Sequence, residues 1–415
     1  MNKKLLVASV LMSSLSALLI LGIVLIMNTD FSKPTNTIKP QVSQGQEVKN
    51  TVEYTDSKSF LEDKNFLDEE QPNFAIKTET VKKKAEMIVS SVAKDIRITI
   101  VDKYGKRISG VSFYVDVEGV GEYKDLDKDG YIYIAGIKPG EYEVSLSDTE
   151  NYTSSGAVTI KVNETIQYEA LEDIMYSVVS EKDIVVEDED TKQADVYNDE
   201  TEKTSITKSD DVVSFGIDVS AWQKEIDWEK VKAAGVDFVI IRCGYRGAKT
   251  GALVEDSYFY KNLQGAKEAG VEVGVYFFTQ ALNETEAVEE ASMVLALIGD
   301  TELEYPIFID TENTNGRADG LDKQTRTEVC DAFCKTIEKA GKDAGIYASR
   351  NWFNNKLNDE KLSGHKRWVA EYASTTAYAG EYQMWQYTSS GKIDGIEGRV
   401  DLDHLLIQFH HLLKG

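Results

Sequence analysis

Histidine, cysteine and basic side chains are scarce in this chain, and each scarcity closes off a class of chemistry. The four histidines, His365, His404, His410 and His411, show no HExxH or similar ligand spacing. The three cysteines, Cys243, Cys330 and Cys334, are an odd number without a repeated interval. That excludes a disulfide framework and a zinc cage, and leaves small buried apolar residues as their reading. No metal and no cofactor is expected. Lys and Arg number 46 against 71 Asp and Glu, a net charge of −25. A chain so poor in cations lacks the basic patch that phosphate binding needs, so nucleic acid is not an expected partner. The C-terminal half also lacks a GxSxG elbow, a Cys–His nucleophile motif and a P-loop.

Residues 5–27 form the one long uncharged apolar run, just after Lys3 and Lys4. At 1.5 Å per residue it spans roughly 34 Å, enough for a bilayer core. A signal peptide would carry a shorter apolar region and a small-residue cleavage site, and "LIMNTD" is a poor one. An uncleaved anchor is therefore expected over 1–27, with a secreted form as the alternative. The positive-inside rule puts its N-terminus in the cytoplasm and everything after Asp30 outside.

The polar stretch 28–94 reads as a stalk, with a short helical pattern in "TETVKKKAEMIVSSVAKD". Over 95–170, short alternating runs such as "IRITIVD", "SFYVDVE" and "YIYIAG" are punctuated by "KYGK", "KDG" and "KPGEY". A small antiparallel β-sandwich is expected. "DLDKDG", Asp125 to Gly130, opens like a calcium loop, but its twelfth position is Gly136 rather than Glu, so a turn is expected. Residues 171–213 are acidic and polar and read as a linker.

From Ser214 the pattern changes to apolar strands alternating with amphipathic helices. "SFGIDVS", "DFVIIR", "VEVGVYFF", "YPIFIDTE" and "DAGIYAS" are separated by helical stretches; "KRWVAEY", "YQMWQYT" and "GRVDLD" follow with little room for helices. Strand–helix alternation implies parallel strands. About eight strands in about 200 residues predict an α/β barrel, TIM-like but flattened, of (β/α)5(β)3 form over 214–412.

In such barrels chemistry sits at the C-terminal ends of the strands. Successive strand ends here bring Asp218, Arg242, Tyr276 with Phe278, Asp310 with Glu312, Tyr347, Tyr372, and Trp385 with Gln386; Asp401 and Asp403 follow at the last strand. A strand alternates its faces, so Asp310 and Glu312 should emerge on one side. Like charges that close hold a proton. Gly216 and Gly274, two residues before Asp218 and Tyr276, suit a crowded interior. Taken singly, Asp218 reads equally as a turn acid and Asp401 as a helix cap. Glu371, out of phase with Tyr372, is expected to face a helix or solvent. The coincidence of four acids with many aromatics at one end favours sugar chemistry, because glycosidic cleavage needs a proton donor and stabilisation of an oxocarbenium-like centre.

"FGIDVSAWQKEIDWEKVKAAGVDFVIIRCGYR", "VGVYFFTQA", "PIFIDTEN", "GIYAS", "WVAEYA" and "MWQYTSSGKIDGIEGRVDLD" together resemble glycoside hydrolase family 25 lysozymes over about 214–409. The resemblance implies an N-acetylmuramidase acting on peptidoglycan strands, cleaving the β-1,4 bond between N-acetylmuramic acid and N-acetylglucosamine. It places the family's four acids on Asp218, Asp310, Glu312 and Asp401. Glu312 is expected as general acid, its pKa raised by an ionised Asp310 that also orients the substrate's 2-acetamido group in a retaining reaction. Arg242, Tyr276, Phe278, Tyr347, Tyr372, Trp385 and Gln386 are expected to bind substrate, in a monomeric catalytic domain. Where the family often has Asn, this chain has Asp403, expected to alter a hydrogen bond at the rim. Residues 95–170 resemble prealbumin-like or collagen-adhesin B-type modules of bacterial surface proteins, which implies a spacer or adhesion role. The alternatives are a catalytically silent wall-binding surface protein and a chitinase-like hydrolase; the latter needs a DxxDxDxE run that "EYPIFIDTE" lacks.

Overall fold

The structure, a computed structural model, describes residues 82–181 and 212–406. The expected anchor, most of the stalk, and the linker from 182 to 211 lie outside the described residues. Among those described, no helix is long and apolar enough to cross a membrane.

The N-terminal part holds β1 (Lys83–Ser90), β2 (Asp95–Asp102), β3 (Tyr114–Val117), β4 (Gly121–Lys124), β5 (Tyr131–Ala135), β6 (Gly140–Leu146), β7 (Tyr152–Ser154) and β8 (Ala157–Val162). They form two four-stranded sheets, ordered β5-β2-β1-β7 and β4-β3-β6-β8. Ile96, Ile98 and Ile100 of one sheet share an apolar cluster with Val115, Val144 and Leu146 of the other. The stretch expected to be helical is strand β1 instead. Its Ala85 and Met87 alternate into that cluster and the strand pairs antiparallel with β2, so tertiary pairing overrides a weak helical pattern. "DLDKDG" is a turn: Asp125 is buried and accepts hydrogen bonds from the backbone N–H groups of Lys128 and Gly130.

The C-terminal part begins with β9 (Val178–Ser180) and β10 (Val212–Val219), followed by α1 (Trp228–Ala233), β11 (Phe238–Arg246), β12 (Leu253–Glu255) and α2 (Phe259–Glu268). Next come β13 (Glu272–Phe278), α3 (Glu284–Ile298), β14 (Ile307–Asp310), α4 (Lys323–Lys339), β15 (Ala344–Ser349) and α5 (Arg350–Asn355). The last strands are β16 (Lys366–Ala370), β17 (Met384–Gly391) and β18 (Val400–Leu406). Helices α1, α3 and α4 start where Asp227, Asn283 and Asp322 accept the N–H three residues on, a cap each worth about 1 kcal/mol.

Eight of these strands close into a barrel in the order β10-β18-β17-β16-β15-β14-β13-β11, with β11 pairing back onto β10. All run parallel except β18, which is antiparallel to both of its neighbours. Alternation along each strand sorts side chains into two layers. Ile217, Val239, Val275, Ile309 and Ile346 point outward and pack with the helices. Phe238, Ile240, Phe308, Tyr347, Trp368 and Met384 fill the interior. That interior is crowded as the glycines predicted: a Cβ on Gly216 would lie 2.3 Å from the Phe238 ring, and one on Gly274 would lie 2.7 Å from Ile240 Cδ1.

The two parts belong to one compact unit. Residues 171–181, expected as the start of a free linker, are structured against the barrel. Leu171 and Ile174 enter its outer apolar layer, and β9 pairs in parallel with β12, extending the barrel's sheet. Arg97 of β2 reaches Glu289 of α3 at 2.6 Å. Glu289 in turn binds Arg246, which also holds Glu290.

Candidate active site

Strand direction decides the site. Asp218 is the penultimate residue of β10, at its C-terminal end, and pairs across the ladder with Asp401. Asp401 sits second in β18, not after the last strand as expected. Because β18 runs against its neighbours, its beginning lies at the same mouth as the ends of the others. Directly opposed residues have Cβ atoms about 4.5–5.5 Å apart. Two charges at about 5 Å repel by about 3 kcal/mol at an effective dielectric of about 20, which raises the pKa of one of them by about two units before burial is added. Burial raises the Asp218 pKa well above the ordinary carboxylate value, helped by Asp401 and Asp403 and opposed by a hydrogen bond from Gln386. Burial also pushes Asp401 up to about 7.

Asp310 closes β14, whereas Glu312 lies beyond the strand. Alternation therefore accounts for Asp310 pointing inward but not for Glu312, which a loop brings to the site. The two still interact. Burial, then Glu312, raises the Asp310 pKa well above normal, while Arg242 works to lower it. This corrects the expectation of an ionised Asp310: it is the more buried partner, 5% exposed, and its own neutral form is favoured. Glu312 is only partly buried. Three buried carboxylate oxygens have no donor: Asp310 Oδ1, Asp401 Oδ1 and Asp403 Oδ2. Buried acceptors are nearly always paired in folded proteins, so the orphans on Asp310 and Asp401 mark a site with work for a ligand, while Asp403 lies deeper, beside Asp218.

Of the expected substrate contacts, Tyr347, Tyr372 and Gln386 meet. Both tyrosine hydroxyls donate to Gln386 Oε1, at 2.9 and 3.1 Å, and Gln386 Nε2 donates to Asp218 Oδ2 at 2.7 Å. Tyr372 is 46% exposed, so its ring remains open at the mouth. Tyr276 packs edge-on to Trp368 in the interior, facing the acids, and burial raises its hydroxyl pKa. Phe278, on the same face of β13 as Tyr276, is buried at the strand's end in a small cluster with Tyr245 and Val254. Arg242 is not free for a ligand. It is buried and donates from Nε to Asp256 at 2.8 Å, and that carboxylate also caps the turn after β10 through Ala221 N.

Trp385 is a correction. It neighbours Gln386 in β17, and adjacent strand residues face opposite ways, so only one can point inward. Gln386 does; Trp385 lies on the outer face near Tyr387 and His404 and donates Nε1 to the Glu371 carbonyl at 2.9 Å. Glu371 pairs with Arg350 and takes no part in the site. Asp403 is a second correction. It is fully buried rather than at the rim, accepts from Trp368 Nε1 at 2.7 Å and hydrogen-bonds with Asp218. The signal was present in the sequence: Asp403 is two residues past Asp401, so a strand points both inward. Trp222, 55% exposed on the 3-10 turn after β10, was also passed over.

Residues 217–396 match the family model for Glycosyl hydrolases family 25. They form a glycosyl hydrolase family 25 domain. The domain is similar to the autolytic lysozyme of Clostridium acetobutylicum, 30% identical over 190 residues, 45% of this chain and 54% of the relative. It is also similar to lysozyme M1 of Streptomyces globisporus, 29% identical over 198 residues, 45% of this chain and 65% of the relative. Among solved structures, the modular autolysin LytC of Streptococcus pneumoniae, in complex with a synthetic peptidoglycan ligand, is 33% identical with a TM-score of 0.41, covering 46% of each chain. The chain thus spans about half the length of the autolytic lysozyme, and the match to the family 25 domain leaves the two N-terminal sheets outside it.

Proposed function

We propose that this chain is a peptidoglycan hydrolase that cleaves the β-1,4 bond between N-acetylmuramic acid and N-acetylglucosamine. The observation that carries the reading is the convergence of Asp218, Asp310 and Asp401, with Glu312 beside Asp310, at one barrel mouth where carboxylate oxygens of Asp310 and Asp401 lack donors. The lysozyme names of the relatives supply the substrate class.

In the proposed reaction Glu312, the carboxyl that reaches the cleft, protonates the leaving oxygen. In this reading the resting proton of the pair sits on Asp310, whose neutral form burial favours. A substrate 2-acetamido N–H donating to Asp310 would stabilise its ionised form and send that proton to Glu312, while the acetamido oxygen attacks the anomeric carbon in a retaining mechanism. Substrate assistance of this kind departs from the two-carboxylate scheme. Asp218 and Asp401 would hold sugar hydroxyls, and the half-exposed rings of Trp222 and Tyr372 offer faces for sugar stacking. The catalytic part would act as a monomer, outside the cell, tethered by residues 5–27, with the N-terminal sheets as a surface module.

Mass spectrometry of purified walls digested by the full-length chain tests this. New reducing ends on muramic acid, lost in Glu312→Gln with the fold intact, are expected. Wall binding without cleavage would favour a silent binding protein, and release of reducing ends from chitin alone would favour a chitinase.

A further inference from the structure

The barrel interior holds an acid that the proposed reaction does not use. Asp403 stands on β18 across the ladder from Gly216 of β10 and Gln386 of β17. Its Oδ1 accepts from Trp368 Nε1 at 2.7 Å. Its Oδ2 is buried and receives no N–H or hydroxyl hydrogen, and Asp403 and Asp218 are diagonal neighbours on the inward face of the ladder whose side chains interact. Asp218 Oδ2 is taken by Gln386 Nε2, and Gln386 Oε1 is taken by Tyr347 and Tyr372. The Trp368 and Gln386 donors thus point at Asp403 Oδ1 and Asp218 Oδ2, not at Asp403 Oδ2. Two carboxylates accept and cannot donate, so the contact between them is a hydrogen bond only if one carries a proton.

We infer that Asp403 is a positioning residue that fixes Asp218 through a single proton shared between their carboxyl groups. The shared proton completes a chain across the barrel: Trp368 to Asp403, Asp403 to Asp218, and Gln386 with the two tyrosine hydroxyls on the far side. Asp218 is thereby held at both ends, with one proton-bearing partner and one amide.

The surroundings keep that proton in place. The groups facing the pair are Asp401 on the same strand, Asp310 from β14 and Tyr276 from β13, all neutral or negative. Tyr387 from β17 also senses Asp403. Arg242 from β11 is already bound to Asp256. Burial, with these like charges, raises both Asp218 and Asp403 well above the ordinary carboxylate value. Loss of the proton at high pH would leave two buried anions in contact.

The inference rests on the proposed hydrolase reading only for its kinetic test; its spectroscopic test stands alone. Isotope-edited infrared spectroscopy of the full-length protein at neutral pH should show a protonated carboxyl absorption that Asp403→Asn removes in part. Asn supplies the same donor without titrating. Asp403→Asn should therefore keep wall hydrolysis within about threefold of the parent and move the alkaline limb of the kcat/KM profile upward. Asp403→Leu, which keeps volume but has no donor, should lose on the order of a hundredfold in kcat/KM, the scale of a misplaced site group. Thermal unfolding of both variants separates loss of fold from loss of position. An unchanged carboxyl absorption in Asp403→Asn overturns the inference, as does an Asn variant as inactive as a folded Leu variant. So does an alkaline limb that does not move. If the parent fails to cleave walls, the proposed reaction falls, and the infrared comparison still decides the shared proton.

Discussion

Arg97 of β2 and Glu289 of α3 meet at 2.6 Å, with side chains only 9% and 16% exposed, and join the N-terminal sheets to the barrel. Glu289 continues to Arg246, Arg246 to Glu290, and Glu290 to the hydroxyl of Thr279, whose N–H binds the Asp310 carbonyl. The N-terminal sheets are therefore tied through charged side chains to the backbone that carries the proposed catalytic pair. Removing Arg97 leaves Glu289 still paired with Arg246, so the cost is that of one charged hydrogen bond, about 2 kcal/mol, rather than of an uncompensated buried charge. Arg97→Ala should lower the stability of the full chain by that order in denaturant unfolding. A change below about 0.5 kcal/mol would mean that the two parts are energetically independent.

The placement of β17 separates two neighbours. Tyr372→Ala should raise KM for wall fragments, because its exposed ring is at the mouth and its hydroxyl holds Gln386. Trp385→Phe should leave kcat/KM near the parent value and cost about 1 kcal/mol of stability through the lost indole hydrogen bond to Glu371. The reverse pattern in steady-state kinetics would put the outer face of the barrel in contact with substrate.

The buried acids make stability depend on pH in a defined direction. Asp310 has a folded pKa well above its unfolded value near 3.9. A raised carboxyl favours the fold at pH below that unfolded value, and the contribution is lost as pH rises toward the folded one. Each such group removes up to about 1.4 kcal/mol per pH unit above about pH 4. Asp310→Asn should therefore be inactive yet more stable than the parent at neutral pH, with a flatter dependence of unfolding free energy on pH. Equal slopes in urea titrations across that range would show that Asp310 is ionised in the fold.

In the proposed mechanism, proton redistribution within the Asp310–Glu312 pair requires the substrate's amide. Glycan strands whose muramic residues have lost the N-acetyl group should be bound but cleaved on the order of a hundredfold more slowly. Product analysis that shows equal turnover of both strands would rule out the acetamido group as nucleophile.

The chain order of strands and helices, the two-layer parity of the barrel, and the strand-end positions of Asp218 and Asp310 follow from residue spacing alone. Local periodicity and the caps at Asp227, Asn283 and Asp322 act over a few residues and need no tertiary partner. What depended on long-range pairing was not legible. The reversed direction of β18 is set by hydrogen bonds to β10 and β17, and it alone brings Asp401 and Asp403 to the mouth. The strand at Lys83–Ser90 exists because β2 offers it a ladder, and residues 171–181 are structured because the barrel offers Leu171 and Ile174 an apolar layer. The sequence by itself determined which residues are acids and which way each strand alternates. Only the tertiary structure decided which of those acids is buried, and burial, not residue type, sets where the protons reside.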